Sequence, residues 1–215
     1  MSKLFLDRRA LLLTGAGAAA LTLGACSDLI GPPVPAPLYL LKPAPRRTAG
    51  AGRAVPWQIS VVLPEAPDSL DTNRIVLVQP NGTMDFYANA SWPDRLSLIV
   101  QSALIDALEG SGRLPAVGRD TDGLKSDYLL ETDIRDFQAR YDTPDGVPTA
   151  VVRIDTRLVT ARGRAIAQSL DAHAEIPAGA NNVPAAVAAL NSALANVLGQ
   201  IVDWVVQAPM PARAG

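Results

Sequence analysis

The chain has 215 residues, with 19 Lys and Arg against 21 Asp and Glu, a net charge of −2 and 5% aromatic residues. That balance gives no basic footprint for nucleic acid and too few rings for base-stacking or sugar-stacking platforms. One cysteine and one histidine exclude an intrachain disulfide and leave almost no soft or imidazole ligands for a metal.

Lys3, Arg8 and Arg9 precede an apolar, Ala/Gly-rich stretch over residues 10–23, which leads into Leu23-Gly24-Ala25-Cys26. This is the order of an export signal: a charged n-region, an apolar h-region and a small-residue cleavage site. The run is shorter than the roughly 20 residues of a spanning helix, and Gly15 and Gly17 weaken it further, so residues 1–25 read as a removed leader. A Leu and two small residues before a Cys form the bacterial lipobox, in which the thiol takes a diacylglyceryl group before cleavage. Cys26 is therefore expected to be the first mature residue and the lipid attachment site. A lone free thiol in an oxidising compartment would otherwise lack a reason. Ser27, where an Asp would favour inner-membrane retention, leans toward an outer-membrane lipoprotein facing the periplasm. Arg8-Arg9 fits a twin-arginine export signal or an ordinary n-region, and both stay open.

Residues 26–54 read as a lipidated tether: prolines recur from Gly31 to Pro45 and favour extended polyproline conformation without a core. Leu38-Tyr39-Leu40-Leu41 interrupts it and is expected to dock as a first short strand, with residues 46–54 a second flexible stretch. The body then spans 55–207. Trp57, Ile59, Val61 and Leu63 alternate with Gln58 and Ser60, the period of a half-buried strand, ended by Pro64 and Pro67. Residues 75–87 read as a hairpin around Asn81-Gly82. Ser91-Trp92-Pro93-Asp94 has the residues of a helix start, with Ser91 as cap. In the helix that follows, Leu96, Val100, Ala103, Leu104, Ala107 and Leu108 share a face, with Gln101 away from its centre, until Gly110 and Gly112 stop it.

Three alternating segments over residues 128–141, 149–160 and 164–176 read as an antiparallel meander with one wet, charged face. Finally, Asn182 caps a helix over residues 183–206, with Val187, Leu190, Leu194, Val197, Ile201 and Trp204 in a sustained stripe. Both helices must bury their stripes, and the simplest solution is a two-layer α+β domain: a largely antiparallel sheet packed on one face by two amphipathic helices. Residues 208–215 are expected to form a loose tail.

Catalytic patterns are missing from the sequence. The nucleophile elbow G-x-S-x-G, the zinc motif H-E-x-x-H, the P-loop and the G-x-G-x-x-G fingerprint do not occur. His173 sits between Ala172 and Ala174 with no nucleophile context, and reads as structural or exposed. Asp120, Asp122 and Asp127 lie in a Gly-containing loop whose spacing does not match an EF-hand, and read as solvated. Glu131 and Asp133 share one strand face, where a charged outer surface accounts for them without a catalytic dyad. No cofactor and no metal are expected.

The order of features resembles a known family, the auxiliary lipoproteins of ABC-type lipid transport systems, which include the lipoprotein of the paraquat-inducible transport operon. The resemblance is carried by the lipobox, Leu38-Tyr39-Leu40-Leu41, Leu70-Asp71-Thr72-Asn73-Arg74-Ile75, Met84-Asp85-Phe86-Tyr87 leading into Ser91-Trp92-Pro93-Asp94-Arg95-Leu96, Ile134-Arg135-Asp136-Phe137 and the terminal helix. It implies a non-catalytic protein that works beside a mammalian-cell-entry (MCE) type substrate-binding protein, a permease and an ATPase moving phospholipids between membranes, with homo-oligomers in some members. Phe86, Tyr87, Trp92 and Arg95, where exposed, are the candidate partner contacts; the alternative for the aromatics is that they anchor helix to sheet. Two other readings stay open, a structural lipoprotein of another envelope assembly or secretion complex, and a carboxylate-dependent hydrolase using Glu131 or Asp133.

Overall fold

The structure is a computed structural model that describes residues 37–43 and 54–210. The leader, Cys26, segments 27–36 and 44–53 of the tether, and residues 211–215 lie outside the described residues. The body holds β1 (Ile59–Val61), β2 (Arg74–Val78), β3 (Met84–Ser91), α1 (Leu96–Gly110), β4 (Val117–Arg119), β5 (Tyr128–Arg140), β6 (Thr149–Thr160), β7 (Ile166–Pro177) and α2 (Val183–Val205). They make a seven-stranded sheet with both helices on one face, the two-layer α+β domain expected.

β5 organises the sheet. Along one side it pairs antiparallel with β6, from Tyr128↔Thr160 to Arg140↔Thr149, and β7 follows outside β6. Along its other side β1 pairs in parallel at Tyr128, Leu129 and Leu130, and β2 pairs in parallel at Ala139 and Arg140. The meander and the β2–β3 hairpin are antiparallel as read, whereas β1 is parallel to both of its neighbours, β4 and β5. Parallel pairing needs a crossover connection, and α1 lies in the crossover from β1 to β4. At the hairpin, Gln79 C=O accepts from the Gly82 N–H (2.8 Å), so Pro80 and Asn81 form the corner and Gly82 follows at φ +81°, a conformation glycine adopts without steric penalty.

A bulge in β5 keeps the core continuous. Tyr128, Leu130, Thr132 and Ile134 face inward; the register then shifts between Ile134 and Asp136, and Phe137 and Ala139 are the next buried residues. Strict alternation would have turned Phe137 to water, because a one-residue slip exchanges the two faces of a strand. On the outer face the charges pair across strands: Arg135 with Asp155 (2.8 Å), Arg153 with Asp171 (2.7 Å), Arg140 with Glu175 (2.9 Å) and Arg164 with Glu131 (3.0 Å). Hydrogen bonds from Arg140 hold the Glu175 carboxyl below its ordinary value.

α2 forms as its sequence dictates. The Asn182 side chain accepts from the Ala185 N–H (2.9 Å) and Pro184 sits in the first turn, the arrangement that satisfies a helix start. α1 departs from expectation. Ser91 is the last residue of β3, and the helix begins only at Leu96, behind an extended Arg95 that contributes no side-chain cap. The cap is supplied from 26 residues away: the Asp71 carboxylate accepts from the Ser97 N–H (3.1 Å) and pairs with Arg95. Burial pushes the Asp71 carboxyl up, but the bonds from Ser97 and the Arg95 charge outweigh it, and the pKa ends below its ordinary 3.8.

Asp71→Ala is expected to cost about 1–2 kcal/mol at pH 7 by urea unfolding, as for loss of a helix cap. With its folded pKa depressed, Asp71 contributes stability above its unfolded value and loses it as pH falls through the folded value. The gap between wild type and variant should therefore be constant at neutral pH and close below about pH 4. A gap that persists at lower pH would show that the carboxylate charge is not what stabilises the helix start.

Three further details correct the sequence reading. Gln101 is buried, with its Nε2 donating to Val61 C=O (3.1 Å), so it faces the sheet. Residues 38–41 form a docked segment with one bridge, Leu38 to Ser91, in which Tyr39 and Leu41 pack on the core while Leu38 and Leu40 are exposed. The chain after α2 is held through Pro209, since Ala208 is buried and the Tyr128 hydroxyl donates to Pro209 C=O (2.9 Å).

Candidate functional site

The four candidate contacts fall into different environments. Phe86, on edge strand β3, is half-buried, and the Arg74 guanidinium of the neighbouring strand lies 3.6 Å from its ring centroid. That stacking presents a cation and a ring edge to solvent together. Tyr87 is also half-buried and closes a hydrogen-bonded chain. Tyr141 donates to Asn181 Oδ1 (3.0 Å), so the 3.0 Å contact between the two hydroxyls takes its proton from Tyr87. Burial first, and then the bond to Tyr141, push the Tyr87 hydroxyl well above its ordinary pKa, so it stays neutral and serves as a donor.

Trp92 is withdrawn from the surface. It is 2% exposed, packs edge-to-face on Phe137 with centroids 6.2 Å apart, and is fixed by its backbone N–H to Asn73 C=O (2.7 Å). It anchors the chain to the sheet where β3 turns into α1, and cannot serve as a contact in this fold. The Arg95 side chain is 62% exposed although paired with Asp71, and keeps donors available on its outer side. No hydrogen bond or ring contact among the described residues joins these four into one cluster.

Of the carboxylates weighed for chemistry, Asp120 is exposed and the others are engaged structurally. Glu131 bonds Arg164 (3.0 Å) and Asp133 pairs with Arg135 (2.6 Å). Asp122 accepts from Arg119 N–H (2.8 Å) at a 3-10 turn, Asp120–Asp122, and Asp127 accepts from Gln58 N–H (2.9 Å). His173 lies exposed on β7 opposite Arg153. Among the described residues no group of three or more His, Cys, Asp or Glu is arranged for a metal.

α1 and α2 leave an open cavity of about 740 Å³, with Leu98, Ile99 and Ala107 on one wall, Ala195, Leu198 and Val202 on the other, and residues 41–43 among the rest of its lining. Its signal in the sequence is the pairing of small residues four apart, Ala103 with Ala107 and Ala195 with Gly199, which thins both walls where side chains would otherwise meet.

The profile of the ABC-type transport auxiliary lipoprotein component matches residues 39–202. The chain belongs to this family. An uncharacterized protein of Bradyrhizobium diazoefficiens is 29% identical over 164 residues, which make up 76% of this chain and 43% of that protein, so the chain spans less than half of that relative. The crystal structure of a Xanthomonas campestris protein aligns with a TM-score of 0.68 at 26% identity, covering 80% of this chain and 92% of the other. A further crystal structure, of an uncharacterized protein, aligns at 0.62 and 17% identity over 78% and 97% of the two chains, a likeness of fold. Membership places the chain among the auxiliary lipoproteins of ABC-type transport and, with them, at the cell envelope. The matched residues run from Tyr39 to Val202, so the docked segment before β1 is part of the family's domain.

Proposed function

We propose that this auxiliary lipoprotein is anchored by lipid on Cys26 to the outer membrane, faces the periplasm, and is a non-catalytic component of an ABC/MCE-type intermembrane phospholipid transport system. The observation that carries the reading is the family match over residues 39–202, which embraces nearly the whole folded body. The engagement of Glu131, Asp133, Asp122 and Asp127 in ion pairs and backbone hydrogen bonds supports a binding role over a hydrolytic one. Its partner is an MCE-type substrate-binding protein together with a permease and an ATPase. Phe86 with Arg74, Arg95, and the exposed edge of Tyr87 are the contacts proposed for it, since ring edges and arginines are enriched where partners meet. Residues 26–54, with the docked segment 38–41 within them, serve as the tether between lipid and domain, and copies of the chain associate on the same membrane.

The test is a crosslinked pull-down of the full-length lipoprotein from membranes, with Cys26→Ala as control and the bound proteins identified by mass spectrometry. Recovery of an MCE-type protein with its permease or ATPase is expected, and Arg95→Glu with Phe86→Ala should lower it about tenfold or more, the effect of losing a contact worth 1.4 kcal/mol or more. Repeated capture of a different envelope or secretion complex in its place would overturn the reading.

A further inference from the structure

We infer that Leu38, Leu40 and Lys42, the outward side of the docked segment before β1, rest on the surface of the phospholipid bilayer that holds the anchor. The inference depends on the lipid proposed at Cys26, and adds to it a second contact, made by the folded domain.

The first argument is how the segment is held. Along residues 38–43 exposure alternates: Leu38, Leu40 and Lys42 are exposed, while Tyr39, Leu41 and Pro43 are half-buried. Tyr39 and Leu41 pack on the core. Hydrogen bonds fix this arrangement at both ends. Tyr39 N–H donates to Ser91 C=O (2.8 Å), and the Asn191 side chain of α2 accepts from Lys42 N–H (2.7 Å) and donates to Leu40 C=O (3.5 Å). These main-chain groups already have partners in the domain, so an apolar surface laid over the segment leaves them satisfied.

The second is what the segment presents. Leu38 is 63% and Leu40 51% exposed, and Leu38 is the most exposed large apolar side chain among the described residues. Lys42 follows at the next outward position and makes no ion pair among the described residues. A lysine lays its stem along apolar surface while its ammonium stays at the level of lipid phosphates. Two leucines with a cation beside them therefore match the boundary between acyl chains and headgroups.

The third is where the chain leads. Ten residues, 27–36, lie between Cys26 and Pro37, and even fully extended they let the two ends separate by no more than about 40 Å. A folded body of about 160 residues has a radius of gyration of about 15 Å, which makes it roughly 40 Å across and roughly 60 Å from pole to pole over its surface. The tether is thus too short to turn the far side of the domain onto the bilayer, and it keeps the surface around Pro37 within reach. Leu38 and Leu40 are the first apolar side chains on that surface. Because they are tethered, the contact is intramolecular in effect, and a weak one suffices. No comparable constraint brings a partner protein or a second copy to this segment.

The experiment uses the full-length lipoprotein in vesicles of phosphatidylethanolamine and phosphatidylglycerol. Lipid on Cys26 occupies the one native thiol, so Leu38→Cys and Leu40→Cys each give a single position for a nitroxide label. Ile166→Cys is the control, 61% exposed on β7 and separated from β3 by β2, β5 and β6 in the sheet. Collision with oxygen, which concentrates in hydrocarbon, is compared with collision with a water-soluble nickel chelate. The expected result is an oxygen-to-nickel ratio about tenfold or more higher at 38 and 40 than at 166, the effect of moving a leucine-sized group out of water. Leu38→Glu, a charge at an already exposed position, should return the label at 40 to water, with circular dichroism showing that each variant folds. Nickel reaching 38 and 40 as readily as 166 would overturn the inference, and so would shielding of both labels from oxygen and nickel alike, which marks a protein in place of lipid. Intact mass of the same preparation reports the lipid on Cys26. A lipidated chain with both labels in water defeats this inference and leaves the anchoring reading standing, whereas a Cys26 without lipid overturns the anchoring reading and this inference with it.

Discussion

Trp92→Ala is expected to lower stability by about 3–5 kcal/mol, the range for removing a large aromatic side chain from a core. The indole is 2% exposed and shares one core with Leu70, Leu96 and Phe137. Its edge-to-face contact with Phe137 at 6.2 Å adds roughly 0.5–1.5 kcal/mol beyond the area it buries. The site also cannot collapse easily, because its backbone is tied to Asn73 and the helix start that follows is tied to Asp71. Urea unfolding followed by far-UV circular dichroism is the appropriate measurement, since the substitution removes one of three tryptophans and would distort a fluorescence signal. A change within about 0.5 kcal/mol, the usual range for surface positions, would place Trp92 outside the core and restore it as a partner contact. Phe86→Ala, at a half-buried edge position, is expected to behave oppositely, with a smaller effect on unfolding and a large one on partner capture, whereas Arg95→Glu also sets a negative charge beside Asp71 and weakens the start of α1.

What the sequence made legible follows the range of the interactions involved. α2 was readable to its cap because every element that sets it is local: Asn182 bonds three residues ahead, Pro184 is in the first turn, and the stripe repeats every three or four residues. The start of α1 was misplaced because its cap is not local. Ser91-Trp92-Pro93-Asp94 has the composition of a helix start, but Ser91 is held in the β3 ladder opposite Arg74, and the carboxylate that caps α1 comes from Asp71. Nothing in the spacing of residues 91–97 announces a partner 26 residues upstream. Gln101 misled for the same reason, since an amide faces a sheet only if a free carbonyl waits there, and Val61 supplies one. β4 is three residues long, contains Gly118 and pairs only with β1, too short to show a period. As for the candidate contacts, which of their side chains reach water depends on the turn between β3 and α1, and that is a tertiary property.

Leu194→Ala, in the middle of α2, is expected to cost about 2–5 kcal/mol, with the urea midpoint falling and the slope unchanged. The consequence reaches beyond stability, because α2 is the one described helix long and apolar enough to cross a membrane: 23 residues, with a mean hydropathy of 1.5 over an 18-residue window. Its faces argue against that use. Val187, Leu190, Leu194, Val197 and Ile201 are buried against the sheet, while Ser192, Gln200 and Asp203 look outward, and a helix in lipid would have to place those polar groups in hydrocarbon. In a bilayer, moreover, Leu194 would have neighbours as apolar as itself whether or not α2 packed on other helices, and its truncation would leave cooperative unfolding of the β-sheet nearly untouched. A loss of several kcal/mol carried by the whole domain assigns α2 to the core and leaves membrane attachment to the lipid proposed on Cys26. A negligible loss, with the protein remaining on membranes after Cys26→Ala, would instead make α2 the anchor.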